Sequence, residues 1–272
     1  MATLRFTILG CGSSGGVPRL GGHWGDCDPS EPRNRRRRCS LLVERVSEGG
    51  TTRVLVDTSP DMRQQLLDAG VGALDGVVWT HAHADHVHGI DDLRMIVFNQ
   101  RRMLDVWADD DTFASLESRF GYAFETPPGS SYPPILTRHR LDGPVEIDGA
   151  GGPVRLEPVP VGHGDIGALG LRVGGLAYMP DVNAIPPEAL PLLRDLEVWV
   201  LDALRRKPHP SHLSLSESLD WISRVGPRRG VLTNMHVDLD WATVDAETPA
   251  EVTPAWDGMA IEIGPDGAAR IA

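Results

Sequence analysis

Between Thr80 and Gly89 the chain reads THAHADHVHG, with four histidines and an aspartate close behind the apolar run GVVW. His81, His83, Asp85 and His86 follow the spacing H-x-H-x-D-H. Imidazole and carboxylate are the ligands that suit zinc and manganese, and each binds through a deprotonated atom. His81 and His83 can lie on one side of a loop and grip one ion, while Asp85 and His86 turn to a second. Two ions ~3.5–4 Å apart can hold both the attacking and the leaving oxygens of a phosphoryl or acyl transfer. A lone histidine is ordinarily structural or solvent-exposed, but here the pattern continues. His163, Asp181, Asp202 and His236 recur downstream, each at or just past the end of an apolar run. On this reading His163 completes the first site, His236 completes the second, and Asp181 bridges them. His88 lies beyond the motif and is expected to pack locally.

Such residues need strands to carry them. RFTILG alternates and stops at Gly10, CSLLVERV and TRVLVDTS flank the hairpin signal SEGGT, and GVVWT is a buried strand leading into the motif. LDVWAD, VRLEPVPVGHG, EVWVLDA and RGVLTNMH read as further strands, and LGLRVGGLAYMPD as a hairpin. Helical spacing appears in PDMRQQLLDAG, IDDLRMIVFNQ, DDTFASLESRFG, PEALPLLRDL and SLSESLDWISRVG. In the last of these Ser214 is the expected cap, with Glu217 at the capping-box position. Cys11 to Arg38 is rich in Gly, Pro and Asp and reads as a long functional loop. Its GCGSSGG resembles a phosphate-cradling loop only loosely, lacking G-x-x-x-x-G-K-[ST]; it suits a close passage of the chain past the metal site. Sites of open sheets form where strands end at their carboxyl side, so metal-type residues recurring there predict one shared site.

The bulk numbers narrow the function. A chain of 272 residues, 41% hydrophobic, fits one large α/β domain over 1–272. The net charge of −12 speaks against broad binding to nucleic acid or anionic membrane, which needs a basic face. No apolar run approaches the ~20 residues of a membrane span. The start MATLRFTILG reads as a first strand rather than a signal peptide. Three cysteines, Cys11, Cys27 and Cys39, without a C-x-x-C pair or an export signal, point to free thiols in a reducing, cytoplasmic compartment. The alternative is a small structural metal site from His23, Cys27 and Cys39, which lacks a fourth ligand.

THAHADHVHG resembles the metal-binding signature of the metallo-β-lactamase superfamily, and the resemblance covers nearly the whole chain. It implies a four-layer αββα sandwich with a dinuclear site at one edge, between the two sheets. Within the superfamily, LGCGSSGGVP, the arginine-rich run before CSLLV, MPD, PSHLSLSESL and WDGMAIEI resemble the PhnP-type phosphodiesterases. Those enzymes hydrolyse cyclic phosphodiesters such as phosphoribosyl 1,2-cyclic phosphate. The resemblance implies that His81, His83 and His163 bind one ion, Asp85, His86 and His236 the other, and that Asp181 bridges. It also implies a catalytic histidine at His212, suited to protonate a leaving alkoxide. His209 has no such support.

Two departures stand out. That group often carries a cysteine-rich structural zinc site in the loop after the first strand, and GGHWGDCDP has one cysteine where several are needed. Relatives commonly show LTH where this chain has LTNMH. The ligand histidine is then either displaced by two residues to His236 or replaced by Asn234; alternate residues of a strand share a face, which favours His236, with Asn234 as a neighbour.

Asp85 and His212 are thus the candidate catalytic residues, and Arg38 and His212 the candidate substrate contacts. The run RNRRRR, Arg33 to Arg38, is either a solvated face or a source of one or two arginines that hold a phosphate bidentately. The expected activity is hydrolysis of a small cyclic phosphate or nucleotide-like phosphodiester. A hydroxide held between two divalent ions, zinc or manganese, attacks phosphorus while His212 protonates the leaving oxygen. Alternatives are an ester, thioester or lactone hydrolase of the same fold, a ribonuclease Z-like nuclease, and a non-catalytic nucleotide-binding module. The expected partner is a small phosphorylated molecule, with no membrane and no nucleic acid. Relatives often form dimers, so a homodimer is the implied assembly.

Overall fold

The computed structural model describes residues 2–272. The first strand, β1 (Thr3–Gly10), pairs with the hairpin of β2 (Ser40–Ser47) and β3 (Gly50–Val56), and β4 (Gly76–Val78), β5 (Leu104–Ala108) and β6 (Leu136–Arg140) extend that sheet in parallel. The chain then builds a second sheet from β7 (Val145–Ile147), β8 (Val154–His163), β9 (Ile166–Val173), β10 (Leu176–Met179), β11 (Val198–Asp202), β12 (Arg229–Thr233) and β13 (Val252–Pro254). Finally β14 (Ala260–Ile263) and β15 (Ala269–Ile271) return to the free edge of the first sheet.

The layering follows from period-2 side-chain alternation. Phe6, Ile8, Leu41, Val43, Val54, Val56 and Val78 join one buried cluster with Val159, Leu171, Tyr178 and Val200 of the second sheet. Their neighbours Leu9, Leu42, Leu55, Val77 and Trp79 join a different cluster. That second cluster is closed by Met62 and Leu66 of α1 (Met62–Asp68), Leu93 and Ile96 of α3 (Leu93–Gln100), and Phe113 and Leu116 of α4 (Asp110–Phe120). A short helix, α2 (Ala84–Val87), precedes α3. On the second sheet, α5 (Leu215–Val225) packs through Leu215 and Ile222, and α6 (Trp241–Glu247) through Val244. The result is the four-layer αββα sandwich of the metallo-β-lactamase fold, as the sequence resemblance implied. No helix among the described residues is long and apolar enough to cross a membrane.

Three differences from the sequence reading have physical causes. PEALPLLRDL forms a 3-10 helix over Pro187–Leu193, because Pro191 inside it can neither donate a backbone hydrogen bond nor clear the preceding turn. LTRHR and VEI, not foreseen as strands, are β6 and β7, the outermost strands of the two sheets, where mostly polar side chains face solvent. RGVLTNMH leaves the sheet at Thr233, and Asn234 adopts a left-handed φ of 60°. The two-residue periodicity invoked for His236 therefore ends before that residue.

The strand ends carry the candidate residues. Asp57, His81, Asp181, Asp202 and Asn234 sit at or just past the carboxyl ends of β3, β4, β10, β11 and β12. Because β3–β4 and β10–β11–β12 run parallel within their sheets, these ends gather at one edge of the sandwich. His163 reaches it as the last residue of β8. The motif loop is pinned from behind. Gly89 lies so close to the chain that a Cβ there would meet the Ser59 carbonyl oxygen at 2.1 Å. Arg119 of α4 donates to the Ala82 carbonyl at 2.6 Å.

His212 enters the same edge from the turn before α5, whose start has the full capping box. The Ser214 hydroxyl accepts from the Glu217 backbone N–H, and the Glu217 carboxylate accepts from the Ser214 N–H at 2.8 Å. Ser214→Ala is expected to lower stability by about 1 kcal/mol in denaturant unfolding. A loss near zero would show that tertiary packing alone holds this helix start.

Candidate metal centre and active-site cleft

The site begins with a carboxylate that no ligand pattern contains. Asp57 is fully buried after β3, in a left-handed conformation at φ 64°. It accepts the Thr80 backbone N–H at 2.8 Å, the Thr80 hydroxyl at 2.8 Å and the His86 Nδ1–H at 2.7 Å. Burial raises its pKa, and the His86 ring opposes that rise. Since the Thr80 hydroxyl donates to Asp57, its oxygen is left to accept from His81 Nδ1 at 3.0 Å. One aspartate thus fixes the tautomer of His86 directly and of His81 through Thr80, turning both Nε2 atoms toward Asp181. His163 is set the same way, because the Ser211 carbonyl can only accept, at 2.6 Å, from Nδ1–H. Metal-ligating histidines are oriented by such outer hydrogen bonds.

The inward atoms converge. Ligand atoms of His81, His83, His163 and Asp181 all lie within 4.8 Å of one another. His163 Nε2 is 3.1 Å from His83 Nδ1 and 3.4 Å from Asp181 Oδ2, and His81 Nε2 is 3.7 Å from the same oxygen. On the other side of Asp181, His86 Nε2 lies 3.1 Å from Oδ1 and 3.7 Å from Asp85 Oδ2. The Nε2 atoms of His81 and His86 are buried without a hydrogen-bond partner, which is costly unless a cation meets them. Burial and the nearby His86 ring push the His81 pKa well below the ordinary value, so it stands neutral. Burial works against a charge on His86 too, but Asp181 and Asp57 outweigh it and raise that pKa well above normal. To hold a divalent ion, His86 would have to give up that proton. Burial raises Asp181, but His86 and then His81 more than reverse this, and its pKa lies well below the carboxylate range. Buried imidazole nitrogens around an ionised carboxylate suit a divalent cation, and the residues present fit one.

The cleft beside these atoms has a volume of about 350 Å³ and is lined by His83, Asp85, Asp181, His212, Asn234 and His236, with Ser13 and Ser14 of the first loop. His212 faces Asp181 Oδ2 through Nε2 at 3.9 Å and donates from Nδ1 to Asp202 Oδ2 at 2.8 Å. Burial pushes Asp202 up to about 7 despite that bond. Burial likewise disfavours charge on His212, but the Asp202 bond prevails and raises its pKa. The pair holds a proton near neutrality, on a ring that looks into the cleft. The Asn234 amide nitrogen bridges the two carboxylates, 3.4 Å from Asp181 Oδ1 and 3.2 Å from Asp202 Oδ1.

Two expected residues are placed differently. His236 lines the cleft, but its Nε2 meets Arg19 Nη2 and its Nδ1 meets Asp238 Oδ1 at 3.1 Å. The chain turns at Asn234, so His236 is carried past the carboxylate edge that an alternating strand would have shown it. Arg38 does not line the cleft; it grips Asp61 with two hydrogen bonds, at 2.5 and 3.0 Å. Arg19 and Arg205 line the cleft instead. His88 packs edge-on against Phe120 at 5.6 Å. The thiols have separate partners: Cys11 meets Asp257, Cys39 the Gly12 carbonyl, and Cys27 the Arg36 guanidinium. Asp57 could have been suspected, since TRVLVDTS ends on it as other strands end on ligands. Nothing in the sequence singles out Arg19.

Residues 52–235 match the family model for the β-lactamase superfamily domain. A solved structure described as a new diphosphatase from the PhnP family is 34% identical, with a TM-score of 0.85, over 96% of this chain and 98% of that one. Zn(2+)-bound PqqB from Methylobacterium extorquens shares the fold, at 18% identity and a TM-score of 0.69 over 94% and 99% of the two chains. An octanoyltransferase of Porphyromonas gingivalis is 34% identical over 260 residues, 94% of this chain and 51% of that protein. The chain spans about half the length of the curated relatives it matches.

Asp57→Asn tests the outer hydrogen bonds. It keeps the shape but weakens the acceptor for His86 and Thr80, so divalent-metal affinity is expected to fall about 10- to 100-fold in a chelator competition. Unchanged affinity would mean that the histidines are oriented by packing alone.

Proposed function

The chain belongs to the β-lactamase superfamily and is a PhnP-like, metal-dependent hydrolase, and from that premise we propose that residues 1–272 form one hydrolase domain that cleaves a small phosphodiester. The observation that carries this reading is the pairing of a histidine–carboxylate metal centre with a protonated His212–Asp202 dyad across one small cleft. His81, His83, His163 and Asp181 would hold one divalent ion, and Asp85 and His86, sharing Asp181, a second; zinc and manganese both suit such donors. Bound there, the metal supplies Lewis acidity toward phosphoryl oxygens and lowers the pKa of water.

The chain's own residues do the rest. Asp202 holds His212 Nδ1–H, which keeps the ring in one orientation and leaves Nε2 as the atom that gives up a proton. The leaving oxygen of an alkyl ester needs that proton. Asn234 restrains Asp181 and Asp202, so the two buried carboxylates stay apart while His212 cycles. A cleft of about 350 Å³ suits a nucleotide-sized molecule rather than a polymer. It offers little to an acyl chain, since Leu204 alone among its lining residues is apolar. This favours phosphorus over the acyl chemistry that the name of the octanoyltransferase relative raises. A similar protein described as a diphosphatase points the same way.

The direct test is a screen of metal-loaded protein against phosphodiesters, cyclic nucleotides, lactones and thioesters. Turnover confined to lactones or thioesters would replace this reading. For His212→Ala, activity on an alkyl phosphodiester should fall roughly 10²–10⁴-fold, and much less when the leaving group is p-nitrophenolate, which departs unprotonated. Metal content should stay at the wild-type level. Equal losses on both substrates would show that His212 binds phosphate rather than donating a proton.

A further inference from the structure

The arginines near the start of the chain divide sharply by partner. Arg33 pairs with Glu31 at 2.7 Å, Arg37 with Asp68 and Asp257 at 2.7 and 3.0 Å, and Arg38 with Asp61. Arg36 is buried and donates to the Leu239 carbonyl at 2.7 Å. Arg35 lies over the Trp24 ring. Arg19 is different. It lines the cleft, and among the described residues its guanidinium has no carboxylate partner, only His236.

The His236 ring is oriented by what surrounds it. Asp238 can only accept, so Nδ1 carries the proton and Nε2 offers a lone pair to Arg19. Asp238 is itself held, because its second oxygen accepts the Arg206 backbone N–H at 3.1 Å. The His236 backbone is fixed by its N–H to the Leu204 carbonyl at 2.9 Å and by Arg36 at its own carbonyl. The imidazole is thus a fixed acceptor. It aims the guanidinium without neutralising it, which a carboxylate would do. A full positive charge with unused N–H donors is left facing the cleft that holds the metal residues. Guanidinium donors match phosphate oxygens in geometry and charge.

Resting on the phosphodiesterase reading above, we propose that Arg19 binds a phosphate oxygen of the substrate and that His236 is its positioning residue, not a metal ligand. The assignment explains why a histidine two residues past Asn234 lies in the cleft yet has its ring nitrogens on Arg19 and Asp238. It also gives the long first loop a task at the site, since Arg19 is carried there by the turn that bridges Arg19 to His23.

The test uses metal-loaded full-length protein with bis-p-nitrophenyl phosphate as substrate and inorganic phosphate as a binding probe in calorimetry. Arg19→Ala should raise KM about 10- to 100-fold, the loss expected for a charge-assisted hydrogen bond, with kcat changed by less than about 3-fold. Phosphate affinity should fall in parallel. His236→Ala should move KM in the same direction by a smaller factor, and His236→Gln, which keeps an acceptor, should recover much of that loss. Both His236 variants should retain the wild-type metal content. Loss of metal from His236→Ala would overturn the assignment, as would an Arg19→Ala variant that loses kcat with KM unchanged. If wild-type protein fails to turn over any phosphodiester, the reaction reading falls. Phosphate binding that still depends on Arg19 and His236 would then uphold the anion contact, and binding indifferent to both would remove it.

Discussion

The centre depends on one buried carboxylate. Asp57 does not line the cleft and presents no atom to the converging nitrogens. It nevertheless decides which nitrogen of His86 faces Asp181, and through the Thr80 hydroxyl it decides the same for His81. Imidazole is two-sided, and a histidine whose outer nitrogen is free can rotate or present a proton where a lone pair is needed. Placing the acceptor at the end of β3, beside the end of β4, ties the ligand geometry to the register of two parallel strands. The ligands are therefore as rigid as the sheet behind them.

The second sheet repeats the arrangement with different chemistry. Asp202 at the end of β11 orients His212 as Asp57 orients His86, but His212 lies at the edge of the cleft, and the bond to Asp202 raises its pKa. Asp181, at the end of the neighbouring β10, belongs to the metal side. The two acids stand on adjacent parallel strands, and Asn234 from the next strand spans them. One sheet thus brings Asp181 and the His212–Asp202 pair within reach of each other, and the other sheet supplies the histidine loop. Neither sheet could form the site alone, and the apolar cluster between them sets their separation.

Much of this was legible beforehand because it is local. H-x-H-x-D-H after an apolar run marks a histidine loop leaving a strand, and His163 and Asp181 ended runs of their own. The capping box of α5 needs only Ser214 and Glu217 at fixed spacing. Where the reading departed from the structure, the missing information was non-local. Arg38 sits in a conspicuous basic run, yet Asp61, far along the chain, occupies its guanidinium. Pro191 bends a helical pattern into a 3-10 turn, and edge strands such as LTRHR lack the alternation that a buried strand requires.

His236 marks the boundary between the two kinds of information. Residue types and spacing determined by themselves a two-sheet sandwich with a cluster of metal-type side chains, because ligand chemistry and period-2 burial are written in short segments. Only the tertiary structure decided which histidines face the centre. That depends on where β12 stops, on the left-handed turn at Asn234, and on partners as distant as Arg19 and Asp238. A side chain's direction is set by backbone torsion and by whichever acceptor lies opposite it, and both come from segments that meet only when the chain is folded.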